Sequence, residues 1–530
     1  MASYKQEHEK FVTGYNGTTF SEVTFVTGIS CISCFVREAG VLLLFRLFQE
    51  GSRTSNFLWR FFLDFMVLVL PNILSVTLMS DYIMELFLGI IASCVMLYFV
   101  YMKTVASKSH LILRSEVNLS DKKTFVTNFR SIINICAAVG ILAVDFPIFP
   151  RRFVKAETYG FGLMDTGVGF YVVSNAIVSP EARGKLPNLS LVVSLKKAVV
   201  SSVPLLVIGC ARLATVKGIE YQEHVSEYGV HWNFFFTLAA LKVMCTAVTC
   251  LVPANQSGPM GVLVLVLYQV VLSNFGGSNY LLTGSDGKGG RTGGFFDANR
   301  EGIFTLPGYV AIYLFGVHLG CFIFKQRKSL REWLSAAVKI AVSALVFALF
   351  LMVCHLGVQP VSRRFANVTY VCWMMCASIL MLLECLLADI AVTFMKSVMH
   401  RPFEDSQSQQ FVKVKKENSP DNRPVTRSRA KEMSSSGNSL EKIGATLDKN
   451  GREEKLAKSS QPSFCLLEAV TYNSLLFFLL ANVMTGIVNL SVPTLNTGSH
   501  VAVAIVIAYM GVLCLVISVL RVKNISTKFW

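Results

Sequence analysis

Long apolar runs alternate with short polar stretches along almost the whole chain. Each run holds about 17–28 residues, which is the length of helix that crosses the apolar part of a bilayer. The runs are too long for membrane strands and do not alternate in polarity, so a barrel of strands is excluded. The pattern predicts thirteen transmembrane helices, at about 22–45, 57–75, 82–101, 131–149, 162–180, 198–216, 233–252, 259–275, 304–324, 333–357, 368–395, 464–490 and 500–520.

A change in composition after the eleventh run divides the chain. The segment there is rich in Ser, Lys, Asn and Glu and poor in apolar residues, which is typical of a disordered linker. We therefore predict an all-α, polytopic transmembrane protein. Its four parts are an N-terminal segment (1–21), an eleven-helix block (22–395), a disordered linker (396–463), and a two-helix block with a tail (464–530).

The basic residues give the predicted helices a direction. Alternate loops hold roughly three times as many Lys and Arg residues as the loops between them. Because cytosolic loops carry this excess, the bias predicts a lumenal N-terminus, a cytosolic C-terminus and a cytosolic linker. It also accounts for most of the formal net charge of +16, so the charge does not indicate a nucleic-acid partner.

Composition supports the same class of protein. Apolar residues make up 53% of the chain and charged residues only 15%, which excludes a single soluble domain and a disordered chain. The 14 Cys residues lie almost entirely in apolar runs, as small buried hydrophobic residues do. They therefore predict neither a disulfide framework nor a metal site.

The first polar feature with chemical potential is a predicted lumenal loop that begins at Asp145. A carboxylate in apolar surroundings can serve as a base near neutral pH, and the loop is long enough to fold Lys155 back toward it. Arg151, Arg152 and Lys155 offer donors for a phosphate or a developing oxyanion. Glu157 and Asp165 of the same loop are further candidate substrate ligands. The alternative is a structural ion pair of Asp145 with an arginine.

A second predicted lumenal segment carries two Glu and two His residues at helical spacing. Glu220, His224, Glu227 and His231 step by four, three and four positions, which predicts one face of a helix. Acid–base chemistry, substrate binding, a metal site and a solvated interfacial helix are all compatible with this stripe. We predict substrate binding by the first three, His231 as a reserve base, and no metal.

A third predicted lumenal loop is rich in glycine and ends at Asn299, Arg300 and Glu301. It lacks the GxxxxGK[ST] pattern of nucleotide-binding loops, so a nucleotide site is not predicted. The three polar residues stand at the mouth of a helix, where they are candidates to bind a polyol or a phosphate. A flexible loop with a helix cap is the alternative.

Three long motifs resemble one known family. FPRRFVKAETYGFGLMDTGVG, EYQEHVSEYGVHWNFFFTL and NREGIFTLPGY resemble the PIG-W family, the inositol acyltransferases of GPI-anchor biosynthesis, and the resemblance covers essentially the whole chain. It implies a multi-pass enzyme of the endoplasmic reticulum membrane that transfers palmitoyl from acyl-CoA to the inositol ring of glucosaminyl-phosphatidylinositol. It also implies that Asp145 and Lys155 are the leading catalytic candidates and that no cofactor is needed beyond palmitoyl-CoA as co-substrate.

Two other classes remain compatible with the sequence. A transporter or flippase for a lipid or polyol would also have many spans and buried charges. A non-catalytic subunit of an acyltransferase complex would have the same composition.

Overall fold

The computed structural model describes residue 7 and residues 10–47, 57–105, 123–185, 190–218, 225–417 and 465–527. This part of the chain is helical, and its only β pairing consists of isolated bridges from Gly17 and Thr18 to Phe161. The helices are α1 Phe20–Leu47, α2 Phe57–Ser75, α3 Ile83–Val105, α4 Thr124–Ala143, α5 Thr166–Ile177, α6 Leu191–Gly218, α7 Val225–Tyr228, α8 Phe234–Leu251, α9 Ser257–Asn274, α10 Gly277–Thr283, α11 Phe295–Ala298, α12 Arg300–Phe304, α13 Leu306–Ile323, α14 Leu330–Gly357, α15 Val368–Glu417, α16 Leu466–Tyr472, α17 Ser474–Ser491 and α18 Ser499–Val522.

Twelve of the predicted spans are confirmed as helices long and apolar enough to cross a membrane. The all-α polytopic class is thereby confirmed, while the direction of the helices stays a prediction. Burial separates the centre of the bundle from its rim: 78% of the apolar window of α15 is buried, but only 6% of that of α3. Since α3 is as hydrophobic as the central helices, the face it exposes is suited to lipid rather than water.

The predicted span at 162–180 is shorter than expected. Residues Leu163–Asp165 form a 3₁₀ turn, and α5 that follows has 12 residues, which rise only about 18 Å. Tyr171 in the middle of α5 donates a hydrogen bond to Asn134 in α4 (3.0 Å). Nine of the 12 residues of α5 are buried, so its hydrophobicity reflects packing inside the bundle rather than length across a bilayer.

The predicted span at 131–149 is displaced, because α4 begins at Thr124 and ends at Ala143. Polar residues in its first two turns hid its start from the hydropathy pattern. Its end is covered by Arg151, whose guanidinium donates to the main-chain oxygens of Val144, Phe146 and Phe149 at 2.7–3.1 Å. The carbonyls at this helix end thus receive donors from a side chain, and Asp145 begins an irregular loop.

The predicted two-helix block at 464–530 holds three helices, because the predicted span at 464–490 is divided into α16 and α17. Specific polar contacts bind this block to the larger one. The amide of Leu466 donates to the carboxylate of Asp64 (2.9 Å), and Asp64 also accepts from Arg37 (2.7 Å). Ser131 of α4 contacts both Leu467 and Thr471. The block therefore lies against the inner helices, even though a long segment separates it from them in the sequence.

The predicted linker at 396–463 begins differently from expectation, since α15 continues to Glu417. Residues 418–464 lie outside the described residues. The N-terminal segment contacts the loop after α4: the amide of Glu157 donates to the carbonyl of Tyr15 at 2.8 Å, and Gly160 lies directly over Asn16. Gly160 has a φ of +140° and no room for a Cβ, so this contact requires glycine.

Candidate active site

A cavity of about 350 Å³ lies between the loop after α4 and the segment before α8. Its walls come from α1, α2, α4, α5, α6, α8, α15 and α17 and are mostly apolar. Asp145, Lys155 and Glu227 line it and are called the cavity cluster below. A mostly apolar pocket of this volume with a few converging polar groups is typical of a ligand site.

Asp145 is fully buried at the end of α4. One of its carboxylate oxygens accepts a hydrogen bond from the side-chain amide of Asn489, at 2.7 Å. Asn489 lies near the end of α17, so the C-terminal block contacts the predicted base directly. The amide holds the carboxylate in one orientation, which is a property that a general base requires.

Lys155 makes a direct ion pair with Glu227. The sequence predicted that Lys155 would fold back toward Asp145; the structure brings both to one cavity but gives Lys155 a different partner. The other oxygen of Glu227 lies 3.7 Å from the guanidinium of Arg363, which in turn pairs with Asp165 at 2.8 Å. The four charges form an alternating chain from the cavity into the protein.

Asp165 is the buried end of this chain rather than part of the cavity wall. It accepts from Arg363 and from the main-chain amide of Ala156 (2.9 Å). Burial raises the pKa of the Asp165 carboxyl, and the charge of Arg363 acts in the opposite direction. The cavity wall does not include Glu157, although Lys155 belongs to the same loop. Both Glu157 and Asp165 stay predictions as substrate ligands.

The predicted helical stripe from 220 to 231 is wrong in its second half. Helix α7 ends at Tyr228, and Gly229 follows with a φ of +107°. A Cβ on Gly229 would come within 2.5 Å of the Cα of Asn299, so a close approach of two backbones ends the helix here. Glu220 and His224 lie outside the described residues.

His231 is separated from the cavity cluster. Its neighbours Val230 and Trp232 line the cavity, whereas His231 is absent from the described part of that wall. The amides of His231 and Trp232 both donate to the side-chain oxygen of Asn299, at 2.7 and 3.0 Å. Asn299 therefore fixes the backbone of this segment. Its role as a substrate ligand, and that of His231 as a base, stay predictions.

The two adjacent arginines of the first loop are directed at protein groups. Arg151 covers the end of α4, as described above, and burial lowers its pKa to about 10 while the charge of Asp145 opposes this shift. Arg152 pairs with Glu22 at 2.8 Å and with Asp81 at 2.9 Å. Neither arginine lines the cavity, so their predicted phosphate contact stays untested.

Arg300 and Glu301 belong to a second buried group of charges, called the loop cluster below. Its members are Arg291, Asp297, Arg300, Glu301 and Arg364. Glu301 lies 2.7 Å from Arg291 and 3.2 Å from Arg364, and Arg300 donates to four main-chain oxygens of the glycine-rich loop. The cluster holds that loop together and does not line the cavity; substrate binding by these residues stays a prediction.

Sequence reasoning missed Asn489 and Arg363. Asn489 and Arg363 both lie at predicted lumenal ends of spans, and Asp145 is predicted to lie on the same side of the membrane. This shared side was the only property in the sequence that could have grouped them with Asp145. Arg212, a charged residue within the predicted span at 198–216, also lines the cavity. Among the described residues, no group of three His, Cys, Asp or Glu is arranged to hold a metal ion.

Comparisons with known proteins match the chain over its full length. The GWT1 family model matches residues 4–520. The chain is 36% identical over 547 residues to the glucosaminyl-phosphatidylinositol-acyltransferase PIGW of Mus musculus, with 100% of both chains covered. The same enzyme of Bos taurus is 35% identical over 537 residues, again with full coverage. The GPI-anchored wall transfer protein 1 of Saccharomyces cerevisiae is 30% identical over 569 residues, with 100% of both chains covered.

Proposed function

The chain belongs to the GWT1 family, and from this membership we propose that it acylates glucosaminyl-phosphatidylinositol in GPI-anchor biosynthesis. Its relatives of the same length are named acyltransferases, which supports an enzyme rather than a transporter or a passive subunit. The finer parts of the proposal are palmitoyl-CoA as donor, the inositol ring as acceptor and the endoplasmic reticulum membrane as location. The likeness of the three sequence motifs to the inositol acyltransferases supports these parts.

One observation carries the proposal at the level of chemistry. A carboxylate and an ammonium group, 10 positions apart in the sequence, line one mostly apolar cavity. Acyl transfer to a hydroxyl requires a base for the proton and a donor for the oxyanion. The apolar wall suits a fatty acyl chain, and the buried setting strengthens the electrostatic interactions of both groups.

Asp145 takes the role of base in the proposed reaction. It accepts the proton of an inositol hydroxyl as the hydroxyl oxygen attacks the thioester carbonyl carbon. The Asn489 amide donates to one carboxylate oxygen of Asp145, and Asp145 lines the cavity. Asn489 is therefore a positioning residue, because it acts through Asp145.

Lys155 takes the role of the donor. The carbonyl oxygen becomes an oxyanion in the tetrahedral intermediate, and the ammonium group stabilises it. The carbon–sulfur bond then breaks, the ester remains on the inositol, and the CoA thiolate takes up the proton held by Asp145. Glu227 holds the ammonium group of Lys155 in position before substrate arrives.

The proposal is tested with purified full-length chain in lipid nanodiscs. Palmitoyl-CoA labelled in the acyl chain is added with glucosaminyl-phosphatidylinositol, and the lipid product is analysed by mass spectrometry before and after mild alkali. The expected product carries one additional alkali-labile acyl group on its inositol ring. Movement of the glycolipid across the bilayer without a covalent product would contradict the proposal and indicate a flippase.

A further inference from the structure

Arg212 occupies an unusual position in the candidate active site. It lies in α6, near the end that leads to the predicted lumenal segment, and its side chain lines the cavity. It is also exposed, so it marks a place where the cavity reaches the surface of the protein. The neighbouring outward residues of α6 are apolar: Leu206 is 41% exposed and Val207 is 61% exposed.

The guanidinium of Arg212 makes no hydrogen bond or ion pair with any residue that the structure describes. The other arginines near the cavity are different. Arg151 is occupied by main-chain oxygens, Arg152 by two carboxylates, and Arg363 by Asp165 and Glu227. A cation on an apolar helix surface is costly, and such residues commonly meet an anion of a lipid or a substrate.

We propose that Arg212 binds the phosphodiester of the glycolipid substrate at the membrane-facing mouth of the cavity. This inference rests on the proposed function and adds a substrate-binding residue to it. Guanidinium groups match the geometry of phosphate oxygens and bind them through two parallel hydrogen bonds. Both substrates carry phosphate, but the apolar face of α6 around Arg212 suits a phosphate attached to lipid chains better than the soluble phosphates of CoA.

The position of Arg212 also fits the orientation in which the acceptor must bind. The phosphodiester is attached directly to the inositol ring, so a phosphate held at the mouth places the ring hydroxyls inside the cavity. Asp145 and Lys155 line the same cavity. Arg212 would thereby orient the acceptor without taking part in proton transfer, and its loss should weaken binding more than turnover.

The test compares Arg212→Gln and Arg212→Lys with the wild-type chain in nanodiscs of phosphatidylcholine. We expect Arg212→Gln to raise the KM for glucosaminyl-phosphatidylinositol about 10–100-fold, the range for loss of a charged hydrogen bond, with kcat changed little. The KM for palmitoyl-CoA should stay as in the wild type. Arg212→Lys should recover part of the affinity, because it keeps the charge but not the paired geometry.

Arg331→Gln is the matched control, since Arg331 is an exposed arginine of α14 that does not line the cavity. A second acceptor, glucosaminyl-inositol without the phosphodiester, should be used equally poorly by the wild type and by Arg212→Gln. A higher KM for palmitoyl-CoA alone would overturn the inference in favour of CoA phosphate binding. An unchanged KM for the glycolipid would overturn it in favour of a cation that only contacts lipid headgroups.

Failure of the inference and failure of the proposed function have different signatures. A wild-type chain that transfers no acyl group contradicts the function, whatever the variants do. Direct binding of glucosaminyl-phosphatidylinositol to the nanodiscs, measured without acyl-CoA, still tests Arg212 in that case. Equal binding by the wild type and Arg212→Gln would overturn the inference alone.

Discussion

The cavity cluster and the loop cluster look alike in the sequence and differ in the structure. Both come from predicted lumenal segments, both combine acids with bases, and both contain fully buried carboxylates, Asp145 and Glu301. Glu301 is surrounded by three arginines, and two of them, Arg291 and Arg300, are also bound to main-chain oxygens. The cavity cluster instead borders a space large enough for a ligand.

The comparison shows that burial of charge alone does not indicate a catalytic site. A buried charge that is enclosed by protein partners stabilises a loop, whereas a buried charge on a cavity wall is available to a substrate. Structural ion-pair networks and active sites share the same residue types, so only the geometry separates them. The two clusters should therefore respond differently to substitution, and the following predictions run from the largest expected effect on activity to the smallest.

Asp145→Asn should lower acyl transfer about 10²–10⁴-fold, the typical loss for a general base. Asparagine keeps the volume and an acceptor for Asn489 but cannot accept the hydroxyl proton. The measurement is the initial rate with labelled palmitoyl-CoA, normalised to folded protein from size-exclusion chromatography. If activity fell only in proportion to the amount of folded protein, Asp145 would have a structural role like that of the charges in the loop cluster.

Lys155→Ala should lower the rate about 10²–10³-fold through loss of the oxyanion donor. Lys155→Arg should also lose much of the rate, because a planar guanidinium does not reproduce a compact ammonium group. The control is the double change Lys155→Met, Glu227→Gln, which removes the ion pair without leaving an unpaired buried charge. If the pair is only structural, this double variant should recover both abundance and activity.

Asn489→Leu should lower kcat about 10–100-fold with little change in KM, because the base is misdirected but still present. It should also shift the acidic limb of the pH–rate profile to higher pH, since loss of a donor favours the protonated carboxyl. The titratable and charged groups that line the same cavity are Cys136, Lys155, Tyr171, Arg212, Glu227 and Tyr228, and the charge of Arg151 interacts with that of Asp145.

Asn489→Gln, which keeps an amide donor, should recover part of the rate, and Asn496→Ala is the control on the exposed turn after α17. An unshifted pH profile in Asn489→Leu, with activity that simply follows the amount of folded protein, would reduce Asn489 to a packing role.

Glu301→Gln should have the smallest effect on chemistry and the clearest effect on stability. Removing one buried charge from among its partners typically costs about 3–5 kcal/mol, so the melting temperature should fall by several degrees. The rate per folded molecule should stay within about twofold of the wild type at a permissive temperature, since Glu301 lies outside the cavity wall. If the rate fell strongly while the protein stayed stable, Glu301 would instead act as a substrate ligand. The proposed functional difference between the two clusters would then be wrong.

Much of the fold could be predicted from the sequence. Twelve of the predicted spans are present because the length of an apolar run is a local property that determines whether a helix can cross a bilayer. The exceptions follow from tertiary packing. Helix α5 is apolar because it is buried, and α4 begins at Thr124, within a stretch whose polar residues interrupt the apolar pattern.

The candidate site could be predicted only in part. Asp145 and Lys155 were identified by their residue types and their motif, and both line the cavity. Their partners were not identified, because Asn489 lies 344 positions from Asp145 and Glu227 lies 72 positions from Lys155. The helical stripe that joined Glu227 to His231 was wrong because a close contact with another segment interrupts the helix at Gly229.

The sequence by itself determined the class of protein, the approximate spans and the family, because hydrophobic length and long motifs are readable without knowledge of contacts. The tertiary structure decided which buried charges border a cavity and which are enclosed. It also decided that Asn489 holds Asp145 and that Arg212, although it lies in a span, lines the cavity. These relations depend on how helices far apart in the chain pack against one another, and helical periodicity does not specify which faces meet.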